Sequence, residues 1–123
     1  MILGIGIDLV SIEKIGESVK SDAFRRKVFT PDEIAMCEAF ASPAEHYAGK
    51  FAAKEACMKA LGHGIRQEVW FTQIEVLNAG SGAPYIQLSG EAERLFNEMG
   101  AVKIHVSISH SDSMAVAMVI LEQ

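Results

Sequence analysis

The chain has 123 residues, half of them apolar, and a formal charge of −5. That length predicts one packed domain over residues 1–123, burying roughly two-thirds of the unfolded surface. The acidic balance argues against nucleic acid as a partner, and no apolar run is long enough to span a membrane.

The N-terminus lacks the basic region and cleavage site of a signal peptide. Residues 2–10 instead alternate as a strand, with Leu3, Ile5, Ile7 and Leu9 on one face and Ile2, Gly4, Gly6, Asp8 and Val10 on the other. Asp8 therefore ends a face carrying two glycines, which let a backbone or a ligand come close. Taken alone it reads equally as a turn or cap carboxylate, although Ser11 competes for the cap. Residues 11–28 hold one or two short helices. Lys14, Lys20, Arg25, Arg26 and Lys27 gather there among Glu13, Glu17 and Asp22, as a solvated face or as a surface for an acidic partner. Thr30-Pro31-Asp32-Glu33 is a capping box with Pro just inside it, starting a helix through about Ala41.

Ser42-Pro43-Ala44-Glu45 starts the longest helix, over about residues 43–61, with Gly62-His63-Gly64 as its C-cap. At about 100° per residue, Phe51, Ala52, Ala53, Ala56, Cys57, Met58, Ala60 and Leu61 cover most of its circumference, so the helix is buried. Glu55 and Lys59 share the remaining sector, one turn apart. Lys54 falls inside the apolar arc with Lys50 beside it. Charges in such a place are paired or bind something charged; an alternative is a Glu55–Lys59 pair with lysines that snorkel to water.

Gly64 to Val69 reads as a loop, Trp70 to Leu77 as a strand, residues 78–84 as a turn, and Tyr85 to Leu88 as a return strand. Ser89 caps a helix from Gly90 to about Met99. Val102–Ser109 and Met114–Leu121 form a hairpin around His110-Ser111-Asp112-Ser113. The fold class is α+β, with a small antiparallel sheet packed against helices. Cys37 and Cys57 have no C-x-x-C or metal-ligand spacing and sit on predicted helices, which suits a reducing, cytoplasmic compartment. On the hairpin, His105, Ser107, Ser109 and Ser111 alternate with Val106, Ile108 and His110, as on a half-exposed strand. Ser109, His110 and Asp112 are too close in sequence for a triad, but hydroxyls, an imidazole and turn amides suit a phosphate.

Two carboxylates, Asp8 and Glu55, with Lys59 nearby fit a Mg²⁺ site that keeps waters and accepts phosphate oxygens. There is no Walker loop and no dinucleotide fingerprint. The residues alone thus lead to a magnesium-dependent site for a phosphate or pyrophosphate compound.

Gly6-Ile7-Asp8, Phe51-Ala52-Ala53-Lys54-Glu55-Ala56 with Lys59, Ala60, Leu61, Gly62 and Gly64, and Ser107-Ile108-Ser109-His110-Ser111 closely resemble holo-acyl-carrier-protein synthases. These are the small bacterial 4′-phosphopantetheinyl transferases, and the resemblance runs over essentially the whole chain. It implies transfer of phosphopantetheine from coenzyme A to a serine of apo-acyl carrier protein, releasing adenosine 3′,5′-bisphosphate, a cytoplasmic step of fatty acid biosynthesis. By the same resemblance Asp8 and Glu55 hold Mg²⁺, and Glu55 or a water on the metal takes the serine proton. Lys59 and Lys50 meet the coenzyme A phosphates, and Lys59 stabilises the leaving group. His110 with Ser109 and Ser111 holds the 3′-phosphate. Lys14, Lys20, Arg25 and Arg26 meet the carrier protein. The resemblance further implies a homotrimer with sites at subunit interfaces, His110 of one subunit approaching Asp8 and Glu55 of another. The chain departs from the family in having Lys at 14 and 50 where Arg is frequent, Ala83 where Lys is frequent, and no basic residue in 41–45. Two rival activities are a Mg²⁺-dependent pyrophosphohydrolase and a non-catalytic trimeric module that binds coenzyme A or a carrier protein.

Overall fold

A computed structural model describes residues 1–62 and 69–123. Its elements are β1 (Ile2–Ser11), α1 (Ile12–Ser18), α2 (Asp22–Val28), α3 (Pro31–Glu38), α4 (Pro43–Leu61), β2 (Ile74–Asn78), β3 (Pro84–Leu88), α5 (Gly90–Glu98), β4 (Lys103–His110) and β5 (Met114–Glu122). An antiparallel sheet in the order β1-β5-β4 packs one face on α4, and β2-β3 form a separate hairpin. This is the expected α+β architecture. No helix among the described residues is long and apolar enough to cross a membrane.

α4 is the buried axis that its composition predicts. Tyr47, Ala48, Ala52, Ala53, Ala56 and Cys57 are wholly inaccessible, so the helix has no single apolar stripe. Gly62 ends it at φ 81°, donating its N–H to the carbonyls of Met58 and Lys59, a left-handed position that favours glycine. His63, Gly64 and most of the expected loop lie outside the described residues.

The glycine face of β1 lies directly against this helix. A Cβ on Gly6 would stand 1.8 Å from the Ala56 carbonyl oxygen, and one on Gly4 would stand 2.2 Å from that of Ala60. The close approach anticipated from Gly4 and Gly6 is thus that of the α4 backbone. Strand register then sorts the sheet into two faces. Gly6-Val119-Val106 and Asp8-Ala117-Ile108 form rows on the α4 side. Ile5-Ile120-His105, Ile7-Met118-Ser107 and Leu9-Val116-Ser109 form the other face. There Ile5, Ile7 and Leu9 remain 55–61 % exposed.

Local expectations differ from the fold at two caps, at the end of α3 and at the start of β2. Ser11 and Thr30 cap their helices as predicted, but neither Ser42 nor Ser89 makes a side-chain cap bond. α3 stops at Glu38, short of Ala41. The strand expected from Trp70 begins only at Ile74, because Phe71–Gln73 form a 3-10 turn. Lys54 is the physical reason: its ammonium takes the Phe71 carbonyl at 3.0 Å and the Ile74 carbonyl at 2.6 Å, which curls the chain around it.

Candidate active site

Asp8 is the first residue on the inner face of β1 beyond Gly4 and Gly6 to carry a side chain toward α4. The glycines bring the strand so near the helix that this carboxylate emerges beside Glu55 and Lys59. Lys59 Nζ donates to Asp8 Oδ1 at 2.9 Å and to the Ile7 carbonyl at 3.0 Å. Helical side chains lean toward the N-terminus of their helix, which carries the Lys59 ammonium back along α4 to reach this strand. The alternative of a Glu55–Lys59 pair is not what forms: Asp8, not Glu55, is the ion-pair partner of Lys59. Asp8 is a strand carboxylate rather than a cap, Ser11 having taken the Lys14 amide.

Burial pushes the Glu55 carboxyl above its ordinary pKa, the negative charge of Asp8 adds to the rise, and Lys59 opposes it. The two carboxylates are thus electrostatic neighbours with one ammonium near them, bonded to Asp8, an excess of negative charge. Asp8 already has a cation, the ammonium, within hydrogen-bond distance. Among the described residues no group of three or more His, Cys, Asp or Glu forms a metal cluster. Two carboxylates alone suit a hard ion that keeps open positions for water and phosphate oxygens, so the residues fit Mg²⁺.

The other two lysines of α4 behave differently. Lys54 is completely buried and pairs with Glu33 at 2.8 Å. Glu33 also accepts the Thr30 N–H at 2.8 Å and the Val76 N–H at 2.7 Å, and Lys54 lies 5.7 Å from the centre of the Phe29 ring. The expectation that this lysine faces an anionic ligand or snorkels is overturned: it holds α3, α4 and the start of β2 together. Lys50 is 6 % exposed. Its Nζ donates to the Val76 carbonyl at 2.7 Å and to Asn78 Oδ1 at 3.2 Å, and burial lowers its pKa. It lies at a cavity of about 280 Å³ lined also by Phe40, Glu45, His46, Asn78 and His110.

In that cavity His110 Nε2 stands 3.2 Å from Glu45 Oε2, and the rings of Phe40 and His46 stack at 3.7 Å. Burial lowers the pKa of His46. Ser109 does not join His110, because adjacent strand residues point to opposite faces: Ser109 shares a row with Leu9 and Val116 on the outer face. Ser111 follows in the turn, where its Oγ accepts the amides of Ser113 and Met114, so these turn amides have partners inside the turn. Glu45 lies ten residues before Glu55 on α4, about 15 Å along the axis. Within one chain, then, the His110 cavity and the Asp8–Glu55–Lys59 group are separate.

The basic residues of α1 and α2 are at the surface. Lys20 pairs with Glu17 at 3.0 Å, and Arg25 with Asp22 and with the Val19 carbonyl. Lys14 and Arg26 are exposed. Arg26 borders a largely apolar depression of about 440 Å³ formed with Phe29, Pro31, Ile34 and Ala35. The sequence reading missed Glu33, Glu45 and Asn78 as partners of Lys54, His110 and Lys50. A lysine inside an apolar arc signals that a buried acceptor exists, but not which one.

The chain matches the model of the 4′-phosphopantetheinyl transferase superfamily over residues 4–119, and it belongs to that family. Its relatives include a holo-[acyl-carrier-protein] synthase of Syntrophus aciditrophicus, 46 % identical over 124 residues, 99 % of this chain and 97 % of that one. Among solved structures, a holo-(acyl-carrier-protein) synthase of Bacillus anthracis in complex with CoA (3′,5′-ADP) is 40 % identical with a TM-score of 0.82, covering 99 % of this chain and 97 % of that one. The Helicobacter pylori holo-[acyl-carrier-protein] synthase in complex with coenzyme A is 36 % identical with a TM-score of 0.84, covering 96 % and 99 %.

Proposed function

We propose that this protein transfers the 4′-phosphopantetheine group of coenzyme A to a serine of apo-acyl carrier protein in the cytoplasm, in a Mg²⁺-dependent reaction that releases adenosine 3′,5′-bisphosphate. The observation that carries this reading is the meeting of Asp8, Glu55 and Lys59 in a chain of this family. Asp8 and Glu55 hold the Mg²⁺. When bound, the ion neutralises diphosphate charge. The exposed Lys59 ammonium meets the phosphate oxygens and stabilises the negative charge that grows on the departing bisphosphate. Glu55 accepts the proton of the attacking serine hydroxyl. The chain's contribution is in-line positioning and charge neutralisation, which is most of what phosphoryl transfer asks of a protein.

The 3′-phosphate is met in the cavity of Lys50 and His110. Because that cavity stands apart from Asp8 and Glu55 along α4, a complete site draws on two copies of the chain. The exposed row of Ile5, Ile7 and Leu9, continued by the 39 % exposed Met118, is the surface through which a homotrimer forms. Ile7→Glu, in the middle of that row, is expected to sediment as a monomer and to lose most of its transferase activity. A fully active monomer would remove the shared site.

Carrier protein meets Lys14, Lys20, Arg25 and Arg26, with the neighbouring apolar depression receiving a hydrophobic side chain. An acidic partner docked this way associates less well as salt rises.

The direct test is the intact mass of apo-acyl carrier protein after incubation with this protein, coenzyme A and Mg²⁺. The mass is expected to rise by one phosphopantetheine. Adenosine bisphosphate released equally fast without acceptor would instead make the protein a pyrophosphohydrolase. His110→Ala is expected to raise KM for coenzyme A roughly tenfold, since one charge-assisted contact to the 3′-phosphate is lost, and to leave dephospho-coenzyme A unaffected. Equal losses for the two substrates would take His110 off the 3′-phosphate.

A further inference from the structure

The cation that neutralises Asp8 in this structure is the protein's own. The ammonium of Lys59 bonds Asp8 Oδ1 and the Ile7 carbonyl, yet the Lys59 side chain is 54 % exposed while that of Asp8 is 16 % exposed. Lys50 and Lys54, on the same helix, are buried and held by carbonyls, Asn78 or Glu33. Lys59 is therefore the solvent-accessible lysine of α4, and once its two bonds break a lysine stem lets the ammonium move several ångströms without any shift of the helix.

We propose that Lys59 is a placeholder cation: it occupies the Asp8 carboxylate while no metal is bound and leaves it when a divalent ion enters, so that metal loading itself sends the ammonium toward the anionic substrate. This rests on the reading that Asp8 and Glu55 hold the metal.

Three observations lead there. Asp8 is only 16 % exposed and has the Lys59 ammonium at 2.9 Å, and a largely buried carboxylate needs a positive charge beside it, so the metal-free site needs one. An ammonium at 2.9 Å from Oδ1 and a divalent ion on the same carboxylate would be close like charges in a partly buried place, so the two do not coexist there. A half-exposed lysine pair is weak, so it yields to a divalent ion. The consequence is thermodynamic coupling: metal binds less tightly to the free protein than to the protein whose Lys59 has been taken over by a diphosphate, and the reverse holds equally.

The test measures Mn²⁺, a hard divalent probe, by the electron paramagnetic resonance of the free ion, on the full-length protein without coenzyme A. Lys59→Ala is expected to bind Mn²⁺ roughly five- to twentyfold more tightly than wild type, because a charge in contact with the ligand is removed. Lys103→Ala, at the far end of β4, is expected to stay within about twofold, because that charge is screened. Asp8→Asn is expected to abolish binding in both backgrounds. If Asp8→Asn leaves Mn²⁺ binding intact, the metal assignment itself falls. If it removes binding while Lys59→Ala stays near the wild-type affinity, only the placeholder falls. Absence of Mn²⁺ binding in wild type and in Lys59→Ala overturns both. A second readout follows the Lys59 ammonium directly by ¹H–¹⁵N NMR. It is expected to be protected from exchange in the metal-free protein and to lose that protection on saturation with Mg²⁺; protection that persists at saturation would show that the ammonium never leaves.

Discussion

Glu55→Gln is expected to lower phosphopantetheine transfer by about a thousandfold or more, the scale on which loss of a central electrostatic or metal contact acts, while the protein remains folded. The substitution keeps the shape of the side chain and removes its charge. Its effect on stability is expected to have the opposite sign to its effect on activity. Burial, followed by Asp8, raises the folded-state pKa of Glu55 above its ordinary value. A carboxylate raised in this way counts against folding when ionised. The penalty is fully present above the folded-state pKa, shrinks as pH falls through it, and is gone below the unfolded value. At neutral pH the neutral amide escapes the penalty, so the melting temperature should hold or rise slightly. Turnover measured beside a thermal melt decides the matter. Near-normal turnover removes Glu55 from the chemistry, and a large drop in melting temperature makes it a structural residue. Asp8→Ala should match the loss of activity, but it leaves Lys59 without its carboxylate.

The largest loss of stability is expected at the buried pair. Lys54→Met leaves Glu33 without its ammonium in a site with no exposure, and the expected cost is about 3–5 kcal/mol in urea unfolding. Burial depresses the pKa of Lys54 and Glu33 opposes that shift. The pair persists because every group around it is bonded: Glu33 to Thr30 and Val76, Lys54 to Phe71 and Ile74. Glu33→Gln alone should be similarly damaging, since it strands the ammonium. The double variant Glu33→Gln/Lys54→Met should recover a substantial part of the loss, because no unpaired charge remains. A change below about 1 kcal/mol in the single variants, the level of a surface pair, would mean that the ammonium reaches water after all. Transfer should fall along with stability in Lys54→Met, because Lys54 precedes Glu55 on α4 and anchors that helix from its opposite side.

Much of the chain was legible because its signals are local. The bounds of α4 were readable from a Pro at the first turn and a Gly after the last. The capping box of Thr30 and Glu33, the alternation of β1 and the hairpin of β4 and β5 follow from the same short-range rules. The candidate metal pair was legible too, because a carboxylate on a glycine face and another in the gap of a buried helix are both anomalies in sequence. Ser42 shows the limit: its residue type is right for a cap, yet its backbone at φ −122° and ψ 78° does not aim the hydroxyl at the helix.

The amino-acid sequence by itself determined most of the helices and strands, that α4 must be buried, and that its lysines would need partners. Only the tertiary structure decided who those partners are: Glu33 for Lys54, Asp8 for Lys59, and Asn78 with the Val76 carbonyl for Lys50. The reason is one of range. Periodicity and capping act over a few residues and leave their mark in composition, whereas an ion pair across 51 residues or a glycine pressed on a distant carbonyl depends on how the helix lies across the sheet, which no local pattern encodes.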